Sequence, residues 1–343
     1  MAADTGSVRR NLPEAARVAL SVSELGAEIS RQVGLVVPHD GYLAVGLDPL
    51  TGVGCFHTKE HAYSTAAARW MERTDALDND VDPFFRLIRG PRQVGVLSEG
   101  SPEHRHSPRL HEIVIAEGFS SELRMALAVD GTAWGALVLI RERGRRPFSP
   151  DEAALAQDLV RPLASALRRF VGGKALRPGR LALPPGVVIV GADDTITSAT
   201  DSGRRWLDEL ARDCATVDDE LAGLLWNSAN MARRADDAVT TRIPTPNGWV
   251  ALHAEPLHPP ATDAVAITIQ TAPTALLLPA IAAWYGLTTR EHAVLAEVVR
   301  GLPAKLIARR LQLSPHTVND HLRATYRKTG VNSRDELLAG ISG

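Results

Sequence analysis

The last seventy or so residues are punctuated as four short helices, and no other stretch restricts the fold as tightly. Thr288-Thr289-Arg290-Glu291 has the spacing of a capping box, in which a hydroxyl and a carboxylate three residues on satisfy each other's backbone N–H. Gly301 closes that first helix. Pro303 starts the second, with Leu306, Ile307 and Leu311 expected inward. Ser314-Pro315 opens the third, and Gly330 stops it. Ser333-Arg334-Asp335-Glu336 opens the fourth, whose apolar residues are Leu337, Leu338 and Ile341.

The third helix separates two chemistries. Val318, Leu322 and Tyr326 recur every four residues as an apolar stripe, and Asn319, Arg323 and Arg327 recur on a neighbouring face. Such a helix can pack with one side and offer amides and guanidiniums to a DNA major groove with the other. The second helix, preceded by Lys305 and followed by a short turn, completes a helix-turn-helix. Charge agrees. The chain has 38 Lys plus Arg and 40 Asp plus Glu, yet from Leu287 onward nine bases face five acids. A basic tail on an acidic body suits a polyanion partner.

Across residues 287–340, Leu-Thr-Thr-Arg-Glu, Gly301-Leu302, Ile307-Ala308, Leu313-Ser314-Pro315-His316-Thr317-Val318-Asn319-Asp320-His321 and Lys328-Thr329-Gly330-Val331-Asn332-Ser333-Arg334 resemble the LuxR-type helix-turn-helix domain. The resemblance implies a four-helix, dimerising module that regulates transcription. By position it makes Asn319, Asp320 and Arg323 base-facing. It makes Lys305, Thr317, Arg327, Lys328 and Arg334 phosphate contacts. Pro303-Ala304 and Leu306 depart from the family's polar start of the second helix. Asp320 is acidic on a DNA face, where it would accept from cytosine N4 or orient Arg323.

Upstream, periodicity predicts a helix over 14–34 with Val18, Val22, Leu25, Ile29 and Val33 on one stripe. Strands follow at Gly41–Leu47 and Gly54–Thr58, short helices near 64–73 and 83–89, and a strand at 94–97. A helical piece comes at 108–117, then a hairpin through Asp130-Gly131-Thr132, and a long helix opened by Ser149-Pro150-Asp151-Glu152. This order and that opening resemble a GAF domain over 14–171. Residues 1–13 read as a flexible start and 172–183 as a linker. Residues 184–274 resemble a PAS-like domain more loosely: a hairpin around Gly191-Ala192-Asp193-Asp194, helices near 201–213 and 217–234, then three strands joined by loops that include His258-Pro259-Pro260. The remainder, 275–343, is the DNA-binding domain. The expected fold is therefore multidomain, with α/β (α+β) antiparallel-sheet sensor domains followed by an all-α four-helix domain. The arrangement resembles an actinobacterial LuxR-family regulator with a GAF-type sensor.

Other signals are weaker. The uncharged stretch Ala264–Thr289 is long enough to span a bilayer, but its alternation and Pro273 and Pro279 favour a buried strand and a short helix. No membrane partner and a cytoplasmic location are expected, with no secretory leader at the start. Two Cys, Cys55 and Cys214, cannot build a disulfide framework or a four-Cys zinc site. Cys55, His57 and His61 could ligate a metal, though core packing is the commoner use. His111-Glu112 starts a zinc-protease motif that Ile115 breaks. His104, His106 and His111 read as solvated loop residues, and Trp70, Phe84, Phe85 and Trp134 as core. No nucleophile or acid–base pair stands out, so no enzyme, no cofactor and no metal are expected. The expected partners are double-stranded DNA and a second copy of the chain, with RNA polymerase and an unidentified small-molecule effector of the first domain as candidates. The stripe Leu155, Leu159, Leu163 and Leu167 fits packing on its own sheet as well as a dimer seam. The alternative is a GAF/PAS interaction module with constitutive DNA binding and no ligand.

Overall fold

The computed structural model describes residues 5–75, 80–180, 183–213, 219–258 and 263–342. Cys214, Val217 and Pro259-Pro260 lie outside the described residues. The first unit runs α1 (Thr5–Val18), α2 (Val22–Gly34), β1 (Gly41–Leu47), β2 (Gly54–Glu60), α3 (Thr65–Asp75), α4 (Phe84–Arg89) and β3 (Val94–Ser98). A π-helical turn at Leu110–Ile115, β4 (Phe119–Val129), β5 (Thr132–Glu142) and α5 (Pro150–Gly172) complete it. Its five strands are all antiparallel in the order β2-β1-β5-β4-β3. Helices α1, α2 and α5 cover one face, and α3, α4 and the π-helical turn cover the other.

The single helix expected over 14–34 is two. The chain breaks at Ala19-Leu20-Ser21, where Ser21 caps α2 by accepting from the Glu24 N–H and Glu24 returns a bond from the Leu20 N–H. That reciprocal cap was written as Ser21-Val22-Ser23-Glu24, and it outweighs apolar periodicity. Val18 consequently points to solvent, 61% exposed, rather than joining the buried stripe of Leu25, Ile29 and Val33. The opening of α5 is a full capping box with Pro150 at its first turn. Leu159, Leu163 and Leu167 are buried in the chain's own core, so that stripe is internal packing.

The second unit comprises β6 (Gly186–Val190), β7 (Ile196–Ala199), α6 (Asp201–Asp213), α7 (Asp219–Ala235), β8 (Val239–Thr245), β9 (Gly248–Pro256) and β10 (Val265–Thr271). Its antiparallel sheet, ordered β7-β6-β10-β9-β8, repeats the winding of the first. Period-2 alternation sorts β9 cleanly. Val250, Leu252 and Ala254 pack under α6 and α7, while Trp249 and Ala251 turn to the core shared with the first unit. The uncharged stretch resolves into β10 and α8 (Thr274–Tyr285). Among the described residues, no helix is long and apolar enough to cross a membrane.

The C-terminal unit is all-α: α9 (Thr289–Val299), α10 (Ala304–Leu311), α11 (Pro315–Thr329) and α12 (Arg334–Ile341). Val294, Val298, Ile307, Ala308, Val318 and Leu322 form its core. The molecule is thus two α/β units followed by an all-α helix-turn-helix domain. Leu306 departs from expectation: it is 40% exposed, because α10 turns only Ile307 and Ala308 fully inward.

Candidate DNA-binding surface and sensor cavity

Helices α10 and α11 are joined by Gln312 and Leu313. Gln312 takes a left-handed conformation (φ 56°), and the Leu313 N–H reaches back to the Ala308 carbonyl. Ser314 caps α11 through the Thr317 N–H, and its hydroxyl also lies 2.8 Å from that of Thr317. With Val318 and Leu322 buried, Asn319, Asp320, Arg323 and Arg327 are all exposed on α11, and Lys305 and Arg309 are exposed on α10. Thr317 is half-buried at the head of the helix. Asp320 lies between two basic side chains, 3.5 Å from the Arg323 guanidinium and 3.4 Å from the His316 ring. On an exposed face this pairing adds little stability.

Two of the residues assigned to phosphate are engaged inside the protein. The Lys328 ammonium donates to the Glu291 carboxylate (2.6 Å) and to the Gly286 carbonyl (2.9 Å). The Arg334 guanidinium donates to the Val298 and Leu302 carbonyls (3.2 and 2.9 Å), which satisfies the end of α9. Sequence position could not separate these from free cations. Arg309, absent from the sequence-derived set, has the solvent exposure that Lys328 lacks.

Burial pushes the Glu291 carboxyl up, but the Lys328 ammonium and the Thr288 N–H outweigh it and leave the acid below its ordinary value. Such a group stabilises the fold above the usual glutamate range, and the contribution fades as pH falls through its folded value. Lys328→Ala is therefore expected to cost about 1.5–3 kcal/mol at pH 7. The gap to wild type should narrow below about pH 4. Urea unfolding at both pH values measures it.

The first unit holds the other candidate site. Between the β1, β2 and β5 face and α3 and α4 lies a cavity of about 240 Å³. Leu43, Val45, Met71 and Phe84 give it apolar walls, and His57 and Lys59 reach it from β2. Its remaining wall comes from the second unit: Gly223, Leu224, Trp226, Asn227 and Arg234 of α7. Asn227 fixes that wall in place. Its carbonyl accepts from the Gly54 N–H (3.0 Å) and its amide donates to Glu72 (2.6 Å). Gly223 sits where any Cβ would fall 2.6 Å from the His57 ring. Sequence reading missed this set. Ligand-lining and core apolar residues carry the same letters, and the closing helix is some 170 residues away in the chain.

The metal alternative finds no geometry. Strict alternation between Cys55 and His57 is broken, because Gly46 faces Phe56 while Leu47 faces Gly54. The buried Cys55 thiol donates to the Gly46 carbonyl, His57 lines the cavity, and His61 pairs with Glu142. Among the described residues no three His, Cys, Asp or Glu side chains are grouped to hold a metal ion.

Residues 286–339 match the family described as bacterial regulatory proteins, luxR family, and residues 11–167 match the GAF domain. The chain thus carries a LuxR-type domain behind a GAF domain. Escherichia coli SdiA is similar over 98% of this chain and 96% of its own, at 15% identity and a TM-score of 0.36. The phycoerythrobilin-bound GAF domain of a cyanobacterial phytochrome aligns with 50% of this chain and 97% of its own, at 15% identity and 0.34. A dimeric Vibrio cholerae VqmA aligns over 46% and 82%, at 19% identity and 0.22. No curated protein matches the chain.

Proposed function

We propose that this protein is a sequence-specific DNA-binding transcriptional regulator, working as a homodimer, whose N-terminal units modulate dimerisation or DNA binding. The observation that carries the reading is one helix, α11, with Val318 and Leu322 buried and Asn319, Arg323 and Arg327 exposed beside Lys305 of α10. A helix so presented fits the major groove. Arg323 forks onto guanine, Asn319 pairs with adenine, and Asp320 aims Arg323 or accepts from cytosine. Lys305, Thr317 and Arg327 contact phosphate directly. Lys328 and Arg334 brace the helix for that contact and can approach phosphate only beyond their internal bonds. The effector would occupy the first-unit cavity. The second unit is PAS-like in this reading, supported by its helix-covered antiparallel sheet. No catalytic step belongs to the proposal, and RNA polymerase is a candidate partner.

The constitutive alternative is favoured by one observation: the α11 face is exposed while the domain is docked on the rest of the chain. A reproducible melting shift with one metabolite and not its analogues supports a sensor, and its absence across a metabolite panel supports the alternative. For DNA, fragments of the source genome selected on the purified chain supply the target. Arg323→Ala is expected to cost about 1–3 kcal/mol on the selected site and to relax base choice. Lys305→Ala should weaken selected and random DNA alike and reduce the salt slope by about one. Equal losses from both variants on every sequence would remove the assigned roles.

A further inference from the structure

Helix α10 carries Lys305, Arg309 and Arg310 and no acid, and its two adjacent arginines are used differently. Arg310 Nε lies 3.3 Å from the carboxylate of Glu297, a buried group that also pairs with Arg300. That pair ties the last turn of α10 to α9 and marks the flank of α10 that leans on it. Each residue of a helix turns about 100° from the last, so Lys305 and Arg309, four apart, share a different flank. Both are exposed, and among the described residues neither charged group makes a hydrogen bond or an ion pair. The main chain under Arg309 is held. Its carbonyl faces the Gln312 N–H, and the Ala308 carbonyl beside it accepts from the Leu313 N–H at 2.9 Å. The guanidinium therefore springs from the fixed corner that leads from α10 into α11. A cation in the last turn also complements the helix dipole. That role suits either arginine, and it does not account for a helix bare of acids in a chain where acids outnumber bases, 40 to 38.

We propose that Arg309 is a DNA-contacting residue, which forms with Lys305 a two-cation row that grips the phosphate backbone where α10 crosses it. Arg310, one position on, is kept for the fold by Glu297. The inference rests on reading α11 as the recognition helix, and it adds a contact that position along the chain did not assign. In a helix-turn-helix the helix before the recognition helix lies across the backbone, so its unpaired cations meet phosphate rather than base edges. Such contacts are blind to sequence. Arg309 therefore sets affinity and its salt dependence, and Arg323 and Asn319 set the choice of site.

Fluorescence anisotropy on the full chain tests this, with a genomic fragment selected on the wild type and a random duplex, each titrated from 50 to 200 mM salt. Arg309→Gln should weaken both duplexes alike and reduce the salt slope by about 0.9. Its loss should then be about three- to fourfold greater at 50 mM than at 200 mM. Arg309→Lys keeps the charge and should keep the slope. Arg310→Gln should lower the urea midpoint and change the slope less than half as much as Arg309→Gln. A purely helix-stabilising Arg309 would show the reverse, a lower midpoint with the wild-type slope, and that result overturns the proposal. So does a loss confined to the selected fragment, or an equal change of slope in Arg310→Gln. Wild type that binds neither duplex sinks the recognition-helix reading and this contact with it. Wild type that binds both, while Arg309→Gln keeps its slope, sinks this contact alone.

Discussion

Glu122→Gln will destabilise the first unit by about 3–5 kcal/mol, although it changes no volume and leaves the fold's topology untouched. Glu122 is fully buried on β4. Its carboxylate meets the Arg124 guanidinium at 2.7 Å and that of Arg109 at 3.1 Å, and it accepts from the Tyr63 hydroxyl at 2.7 Å. Both arginines are themselves buried, so neutralising Glu122 withdraws from a low dielectric the carboxylate that both guanidiniums share. The cost is that of a broken buried ion pair, and it can be separated from packing. Converting all three residues to apolar ones, Glu122→Met with Arg124→Met and Arg109→Leu, should recover most of the loss. Burial pushes the Glu122 carboxyl up, but the two guanidiniums and the Tyr63 hydroxyl outweigh it and hold the acid below its ordinary value. Its contribution is thus complete above the usual glutamate range and is lost as pH falls through the folded value. Wild type should lose stability steeply below about pH 4, and Glu122→Gln should lack that component. Urea midpoints from pH 7 to pH 3 measure both effects, and equal midpoints at pH 7 would show that the arginines find other partners. Arg124 also stacks on Phe84 at 4.8 Å, and Phe84 lines the cavity, so the triad braces the wall of the candidate ligand site.

What could be read from the sequence divides along a physical line. Features written in local chemistry were legible: the caps at Ser149, Thr288, Ser314 and Ser333, the Asp130-Gly131 hairpin, and the two faces of α11. Each depends on residues within a few positions of one another. Ser21 was equally local, but an apolar stripe running through it read as continuity. Tertiary use was not legible. Lys328 looked like any basic residue near the end of a recognition helix, and only the approach of Glu291 and Gly286 occupies it. Trp226 carried no signal of its own, and nothing in its neighbourhood announced that it would line a cavity of another unit. Asp48 shapes the turn after β1 by accepting from the Leu50 N–H. Its second oxygen takes Arg242 of β8 at 2.8 Å, a buried ion pair between units that no spacing rule anticipates.

The remaining large effect concerns how the DNA-binding domain is held. Trp284 of α8 is buried, with its ring 5.1 Å from that of Trp134 on β5. Arg168 of α5 lies over Trp134 at 5.2 Å and donates to the Trp284 carbonyl at 3.2 Å. Gly172 allows this approach, since a Cβ there would sit 2.4 Å from that carbonyl oxygen. Beyond α8 the linker is stitched to α11 by the Leu176 N–H on the Thr329 carbonyl at 2.8 Å. The apolar residues of α8 and α12 join one continuous core with the first unit, so the domain is packed on its sensor as well as tethered to it. Trp284→Ala removes the centre of that contact and should cost about 3–5 kcal/mol. Because the loss falls on the contact between units, the expected signature is a change in cooperativity. Calorimetry of the wild type should give one merged unfolding transition. The variant should give two, with the helix-turn-helix domain melting apart from the sheet units. The α11 recognition face lies outside this contact, so a single DNA half-site should bind the variant with unchanged affinity. Any control that the first unit exerts on DNA binding should weaken in parallel. A merged transition in a folded Trp284→Ala chain would mean that the linker bonds and α12, rather than the paired indoles, couple the domains.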